Sequence, residues 1–69
     1  MEKEFGRIKK SDAIEIVIRV DEYEGKKGVT IREFVTSEKY TGFTKNGTRI
    51  PIEKLDEFKE IISKINLDE

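Results

Sequence analysis

The chain has 69 residues, 14 basic and 15 acidic, with a formal net charge of −1 and no His, Cys or Trp. Those absences remove zinc knuckles, thiol nucleophiles, imidazole bases and disulfide frameworks. At 35% hydrophobic and 42% charged residues, the sequence can build one small core, and a domain of this size gains from a second copy that covers apolar surface. It has no apolar run of about 18 residues, and Met1-Glu2-Lys3-Glu4 opens without an apolar stretch. Neither a membrane span nor a signal peptide is therefore expected, and a cytoplasmic location follows.

Residues 5–10, Phe5-Gly6-Arg7-Ile8-Lys9-Lys10, read as a short edge strand whose lysines protect an open sheet edge. Residues 13–21 alternate, with Ile14, Ile16, Ile18 and Val20 on one side and Glu15, Val17, Arg19 and Asp21 on the other, which predicts a half-buried strand. A turn-rich stretch over 22–28 leads into a second strand over 29–35, where Val29, Ile31 and Val35 alternate with Thr30, Arg32 and Phe34. Residues 40–50 are aromatic and β-branched but broken by glycines, and two readings compete. Asn46-Gly47 marks a two-residue hairpin between very short strands, or the segment is one strand bent at Gly42 and bulged near Gly47. From Pro51 the spacing changes to three and four, through Ile52, Leu55, Phe58, Ile61, Ile62 and Ile65, which predicts an amphipathic helix. Pro51 and the acids Glu53, Asp56 and Glu57 suit its first turn, and Asn66 its C-cap region. The sum is a single α+β domain over residues 1–69: a four-stranded antiparallel sheet followed by one C-terminal helix, in the order ββββα. The first few residues and Leu67-Asp68-Glu69 are expected to fray.

For catalysis the sequence offers little. Ser11, Ser37 and Ser63 have no imidazole to activate them, and no lysine sits in an apolar run that would depress its pKa. No enzyme activity, metal or cofactor is expected; a magnesium site from Glu22, Glu24 and Glu33 has no supporting spacing. Gly25-Lys26-Lys27-Gly28 has the form of a KH-domain GxxG clamp, but a KH clamp joins helices, so an ordinary hairpin turn with exposed lysines is the better reading.

If the isoleucine side packs on the helix, then Val17, Arg19, Thr30, Arg32 and Phe34 point away from it, flanked by Tyr23, Lys26, Lys27, Tyr40, Phe43, Lys45 and Arg49. Rings interleaved with cations on one sheet face suit single-stranded nucleic acid, where bases stack at roughly 1–3 kcal/mol each and cations follow the phosphates. On composition alone, the competing reading stands level: Phe34, Tyr40 and Phe43 as core or interface residues, with the cations merely solvated. Charge also divides along the chain. Residues 1–50 carry 11 Lys and Arg against 9 Asp and Glu, net +2, and residues 51–69 carry 3 against 6, net −3, so the helix is expected to stay away from an anionic ligand.

Taken in order, Gly6-Arg7-Ile8-Lys9-Lys10, Glu15-Ile16, Tyr23-Glu24-Gly25-Lys26, Val29-Thr30-Ile31-Arg32-Glu33-Phe34, Thr44-Lys45-Asn46-Gly47, Ile50-Pro51-Ile52 and Leu55-Asp56-Glu57-Phe58 resemble the transcriptional coactivator family known as positive cofactor four, in its short bacterial and phage form. The resemblance spans about residues 6–65, through an Ile-Arg-Glu-aromatic strand preceded by an aromatic-x-Gly-Lys turn. It implies a homodimer joined through the helices, with Leu55, Phe58, Ile62 and Ile65 at the interface. It also implies sequence-tolerant binding of single-stranded DNA across the sheets, in a cytoplasmic, nucleoid-associated setting alongside transcription or replication machinery. By position, Tyr23 resembles the family's stacking aromatic, Lys26 and Arg32 its phosphate-contacting cations, Phe34 its tyrosine-type position and Lys45 its basic position before the glycine. Arg19, Lys27 and Phe43 join them as candidate contacts, whereas Lys9, Lys10 and Arg49 stay unassigned. The resemblance turns residues 40–50 into a bent strand. Val35, Glu24 and Asn46 stand where the family often carries a ring or cations, which implies weaker contacts and a shallower salt dependence. Two other functions remain in competition: an RNA-binding or RNA-chaperone role, and a small dimeric adaptor that pairs its sheet edge with a partner strand.

Overall fold

The computed structural model describes residues 2–67. Four strands, β1 (Lys3–Lys9), β2 (Ile14–Tyr23), β3 (Lys26–Thr36) and β4 (Thr41–Pro51), are followed by a 3₁₀ turn (Ile52–Lys54) and one helix, α1 (Leu55–Ser63). The sheet is an antiparallel meander in the order β1-β2-β3-β4, so the expected α+β, ββββα arrangement is present. The fraying expected at the two ends falls in part on Met1 and Asp68-Glu69, which lie outside the described residues; the ladder already begins at Lys3. No helix is long and apolar enough to cross a membrane.

β2 and β3 pair without interruption from Ile14 opposite Val35 to Tyr23 opposite Lys26. The stretch 22–28 is therefore mostly strand, and the turn shrinks to Glu24-Gly25, at φ 51° and 78°. Two central residues with positive φ make the tight hairpin turn whose twist matches that of its flanking strands. Glycine takes that conformation freely, and Glu24 takes it at a cost.

Because the ladder is regular, cross-strand partners share a face. One face carries Ile14, Ile16, Ile18 and Val20 beside Val29, Ile31 and Val35, continued by Ile8 on β1 and Ile50 on β4. The other carries Glu15, Val17, Arg19 and Asp21 beside Thr30, Arg32 and Phe34. The division is the one the alternation predicts.

The helix is not where the sequence reading placed it. α1 packs chiefly against β4 and the 3₁₀ turn, and that turn in its own right meets β3. The molecule measures only 17 Å across its thinnest dimension. The isoleucines of β2 stay half-buried, Ile8 is exposed, and no helix residue is buried. Among the described residues the one fully buried side chain, Val17, sits on the opposite face, between Arg7 of β1 and Arg32 of β3. Pro51 ends β4 rather than starting α1, and the helix closes at Lys64, short of Asn66.

β4 is one strand. It carries two extra residues between the Arg32–Gly47 and Phe34–Phe43 pairs, so the bulged reading holds and the Asn46-Gly47 hairpin does not form. Gly47 is needed there: a Cβ would lie 2.6 Å from the Ile31 carbonyl oxygen and 3.1 Å from the Arg32 Cα.

Glu24→Asn removes much of a left-handed backbone cost of roughly 1 kcal/mol. It is expected to raise the thermal midpoint by about 2–4 °C, whereas Gly25→Val, which installs a β-branched residue at φ 78°, lowers it; circular dichroism melting distinguishes the two.

Candidate nucleic-acid interface

The face opposite the isoleucines is built around two phenylalanines. Phe34 on β3 and its partner Phe43 on β4 meet edge to face, ring centroids 5.1 Å apart. The Arg7 guanidinium lies 5.0 Å from the centre of the Phe34 ring, and those of Arg19 and Arg32 lie 5.2 and 5.6 Å from Phe43. Cations over ring faces are electrostatically favourable, and together they close over Val17. Neither phenylalanine therefore presents a bare ring, as the sequence reading expected. What lies over the rings is a layer of guanidinium groups, a group on which bases also stack.

Arg32 is held by the β4 bulge. Its Nη2 donates to the Thr44 carbonyl at 2.7 Å, satisfying an acceptor in the segment where the ladder opens. Beside it lies an open groove of about 490 Å³, bordered by Arg19, Tyr23, Arg32, Lys45 and Arg49 together with Glu2, Asp21 and Glu22. Arg32 and Lys45 make no ion pair among the described residues. Tyr23, 69% exposed, is the ring left open for stacking. From the Tyr23–Lys26 pair to Phe34 is eight residues of β3, a track of about 26 Å at the usual strand rise.

Of the sequence-predicted contacts, the structure brings Arg19, Tyr23, Lys26, Arg32, Phe34, Phe43 and Lys45 to this side. Lys27 pairs with Glu22 in the register of the isoleucine face and does not join them. Lys10 reaches Glu33 at 2.8 Å, also on the isoleucine side, and Lys9 pairs in register with Glu15. Tyr40 lies over Gly42 and donates its hydroxyl to the Phe43 carbonyl. Arg49 is a brace: it donates to the Asp21 carboxylate at 2.9 Å and to the Lys26 carbonyl at 2.9 Å, lying across Gly28, where a Cβ would come within 2.7 Å of it.

Arg7 is the cation on this face that sequence reasoning missed. Residues three apart on a regular strand face opposite ways, but a bulge at Phe5, between Glu4 and Gly6, puts Glu4 and Arg7 on one face. The glycine inside the β1 sequence was the available signal. Glu4 takes a two-pronged bond from Arg7, at 2.8 and 3.0 Å, and Glu15 a longer one at 3.3 Å. That hydrogen bonding holds the Glu4 carboxyl below its ordinary pKa and raises that of Arg7. The Thr30 hydroxyl, donating to Asp21, and the Arg49 guanidinium likewise lower the Asp21 pKa against some desolvation.

No protein-family model, curated protein or solved structure matches the chain, so the functional reading rests on the residues themselves.

A depressed carboxyl contributes stability above its unfolded pKa, about 3.9 for Asp, and loses it as pH falls through the folded value. Asp21→Asn is thus expected to lower the thermal midpoint at pH 7, with the gap to the parent narrowing below about pH 4 as Asp21 is protonated; melts across that range measure it. Gly47→Ala, which drives a methyl group into the β3 backbone, is expected to cost roughly 1–3 kcal/mol in denaturant unfolding.

Proposed function

We propose that the chain is a homodimeric, sequence-tolerant single-stranded-DNA-binding protein, a coactivator-like accessory of transcription, replication or repair. The observation that carries this reading is the gathering of Tyr23, Arg19, Arg32 and Lys45 around one open groove, with Lys26 in register beside Tyr23. Exposed ring, guanidinium planes and unpaired cations follow one another along a strand-length track. That arrangement offers stacking and phosphate contact without a shape that selects one base. The reading assigns no catalytic step and no cofactor, and it agrees with the function that the resemblance to positive cofactor four implies.

The dimer is supported by what the fold leaves open. The isoleucine face is half-covered, and Ile61, Ile62 and Ile65 are 54%, 48% and 67% exposed. An apolar sheet face and an apolar helix stripe on one small chain exceed what a monomer ordinarily leaves in water. A second copy supplies both at once: the stripe from Leu55 and Phe58 to Ile65 is its own chain's complement. Such a dimer aligns two grooves, and a strand engaging both gains by avidity. The acidic helix, on the dimer side, stays clear of the phosphates.

Fluorescence anisotropy with labelled oligo-dT tests the ligand. Arg32→Ala and Tyr23→Ala are each expected to weaken binding by about tenfold with circular dichroism unchanged, and unchanged affinity in both refutes the assignment. A matched RNA oligomer that competes more strongly than the DNA points to RNA as the ligand. Light scattering is expected to give twice the chain mass, and Ile62→Glu, at a half-exposed position, is expected to shift it toward monomer.

A further inference from the structure

Three of the arginines on the groove side are already occupied, and by acids of this same chain. Glu2 Oε2 lies 2.6 Å from Arg19 Nη2, Glu4 bonds Arg7 in the two-pronged manner, and Asp21 bonds Arg49. The third of these braces the hairpin. The first two have no such duty: both acids come from β1 and the residue before it, at the sheet's edge, and Glu2 is 65% exposed. Each binds a guanidinium that lies over a phenylalanine ring.

A guanidinium fork accepts a carboxylate and a phosphate in the same geometry. We propose that Glu2 and Glu4 stand in, in the free protein, for two phosphates of the bound strand, so that Arg19 and Arg7 are phosphate subsites closed by an intramolecular acidic latch. The inference rests on the nucleic-acid reading above and adds to it a residue, Arg7, and a control on affinity.

The bulge at Phe5 makes the latch. Without the extra residue, regular alternation would send Glu4 to the isoleucine face and leave Arg7 with Glu15, its more distant partner. The two subsites are neighbours. Arg7 pairs with Val17 and Arg19 with Glu4, so they lie two residues apart along adjacent strands, about 8 Å from rise and strand spacing. Consecutive phosphates of an extended strand bridge such a gap. A ligand with linked phosphates can therefore displace both carboxylates together, whereas a lone anion must compete with each held in place. Exposed ion pairs are individually weak, so the latch modulates binding without abolishing it. In the free protein it also keeps the guanidiniums paired over their rings.

The test is a set of anisotropy titrations with oligo-dT on the full chain: the parent, Glu2→Gln, Glu4→Gln, and Glu22→Gln as a charge control. Glu22 lies at the rim of the same groove, its register position on the isoleucine face, and makes no ion pair among the described residues, so its removal reports the change in overall charge without opening a guanidinium. Removing a latch carboxylate is expected to tighten binding by about twofold to fivefold, more than Glu22→Gln does. In an Arg7→Gln background the gain from Glu4→Gln is expected to vanish, because the group it unmasks is gone. Melting curves confirm that each variant is folded. Parent-like affinity in both Glu2→Gln and Glu4→Gln overturns the latch while leaving the nucleic-acid reading intact, as does a Glu4→Gln gain that persists without Arg7. Failure of every variant to bind overturns both.

Discussion

The unbroken pairing of β2 with β3 is the constraint on which the rest of the molecule depends. From Ile14–Val35 to Tyr23–Lys26 no residue is inserted on either strand, so the two-residue alternation of each strand becomes a two-sided surface with no crossover of type. A slip of one residue would exchange the isoleucines for the arginines. Both flanking strands then work against this fixed centre, and each meets it through an irregularity. β1 bulges at Phe5 and β4 near Lys45. Each bulge re-aims side chains toward the arginine face: Glu4 with Arg7 on one side, and on the other Lys45, with the Thr44 carbonyl that anchors Arg32.

The two faces solve different problems of burial. On the arginine face, Val17 is sealed by side chains that are themselves charged, because long guanidinium stems and aromatic rings cover apolar surface while their polar ends stay wet. Arg7, Arg19 and Arg32 thus serve the fold and the face together, and the electrostatic cost of gathering three cations is offset by the rings beneath them and by Glu2, Glu4 and Glu15 beside them. The isoleucine face has no such cover. Its side chains are β-branched and rigid, suited to packing against a complementary surface, and the chain's own helix leans on β4 instead of crossing it.

Much of this was legible in the sequence, and the misses have physical causes. The alternation in residues 13–21 and 29–35 fixed which side chains share a face, because β2 and β3 carry no bulge. The turn near Gly25 was legible, but the extension of β2 and β3 right up to it was hidden by charge: Glu22, Lys26 and Lys27 have poor strand propensity, yet a twisted hairpin needs no apolar face at its tip. Asn46-Gly47 carried the stronger turn signal and was not a turn. Glycine is required at that position because the β3 backbone passes too close for a Cβ, and local composition cannot separate that cause from a positive φ. The helix was found by its period, but an amphipathic stripe states only that something apolar must cover it, not that the same chain's sheet does. Arg7 escaped because a bulge at Phe5 resets the parity on which face assignments from sequence depend.

On the proposed reading, a protein with a net charge of −1 would meet a polyanion through the arrangement of its charge and not through its sum. Bulk charge governs long-range attraction and the steepness of the salt response, and here it is nearly nil, so recognition falls to short-range geometry. Guanidiniums set over rings would lose little freedom to a phosphate or base, since Phe34, Phe43 and the Thr44 carbonyl already limit where they lie. Lys45 and Tyr23, by contrast, make no side-chain ion pair among the described residues and, on the proposed reading, would follow the strand. A rigid centre with adaptable ends favours a ligand that has a repeating backbone and a variable base over one with a single fixed shape. On that reading the same near-neutrality, maintained by carboxylates within reach of the cations, would keep the sheet from collecting anions indiscriminately and leave selection to ligands able to make several of these contacts at once.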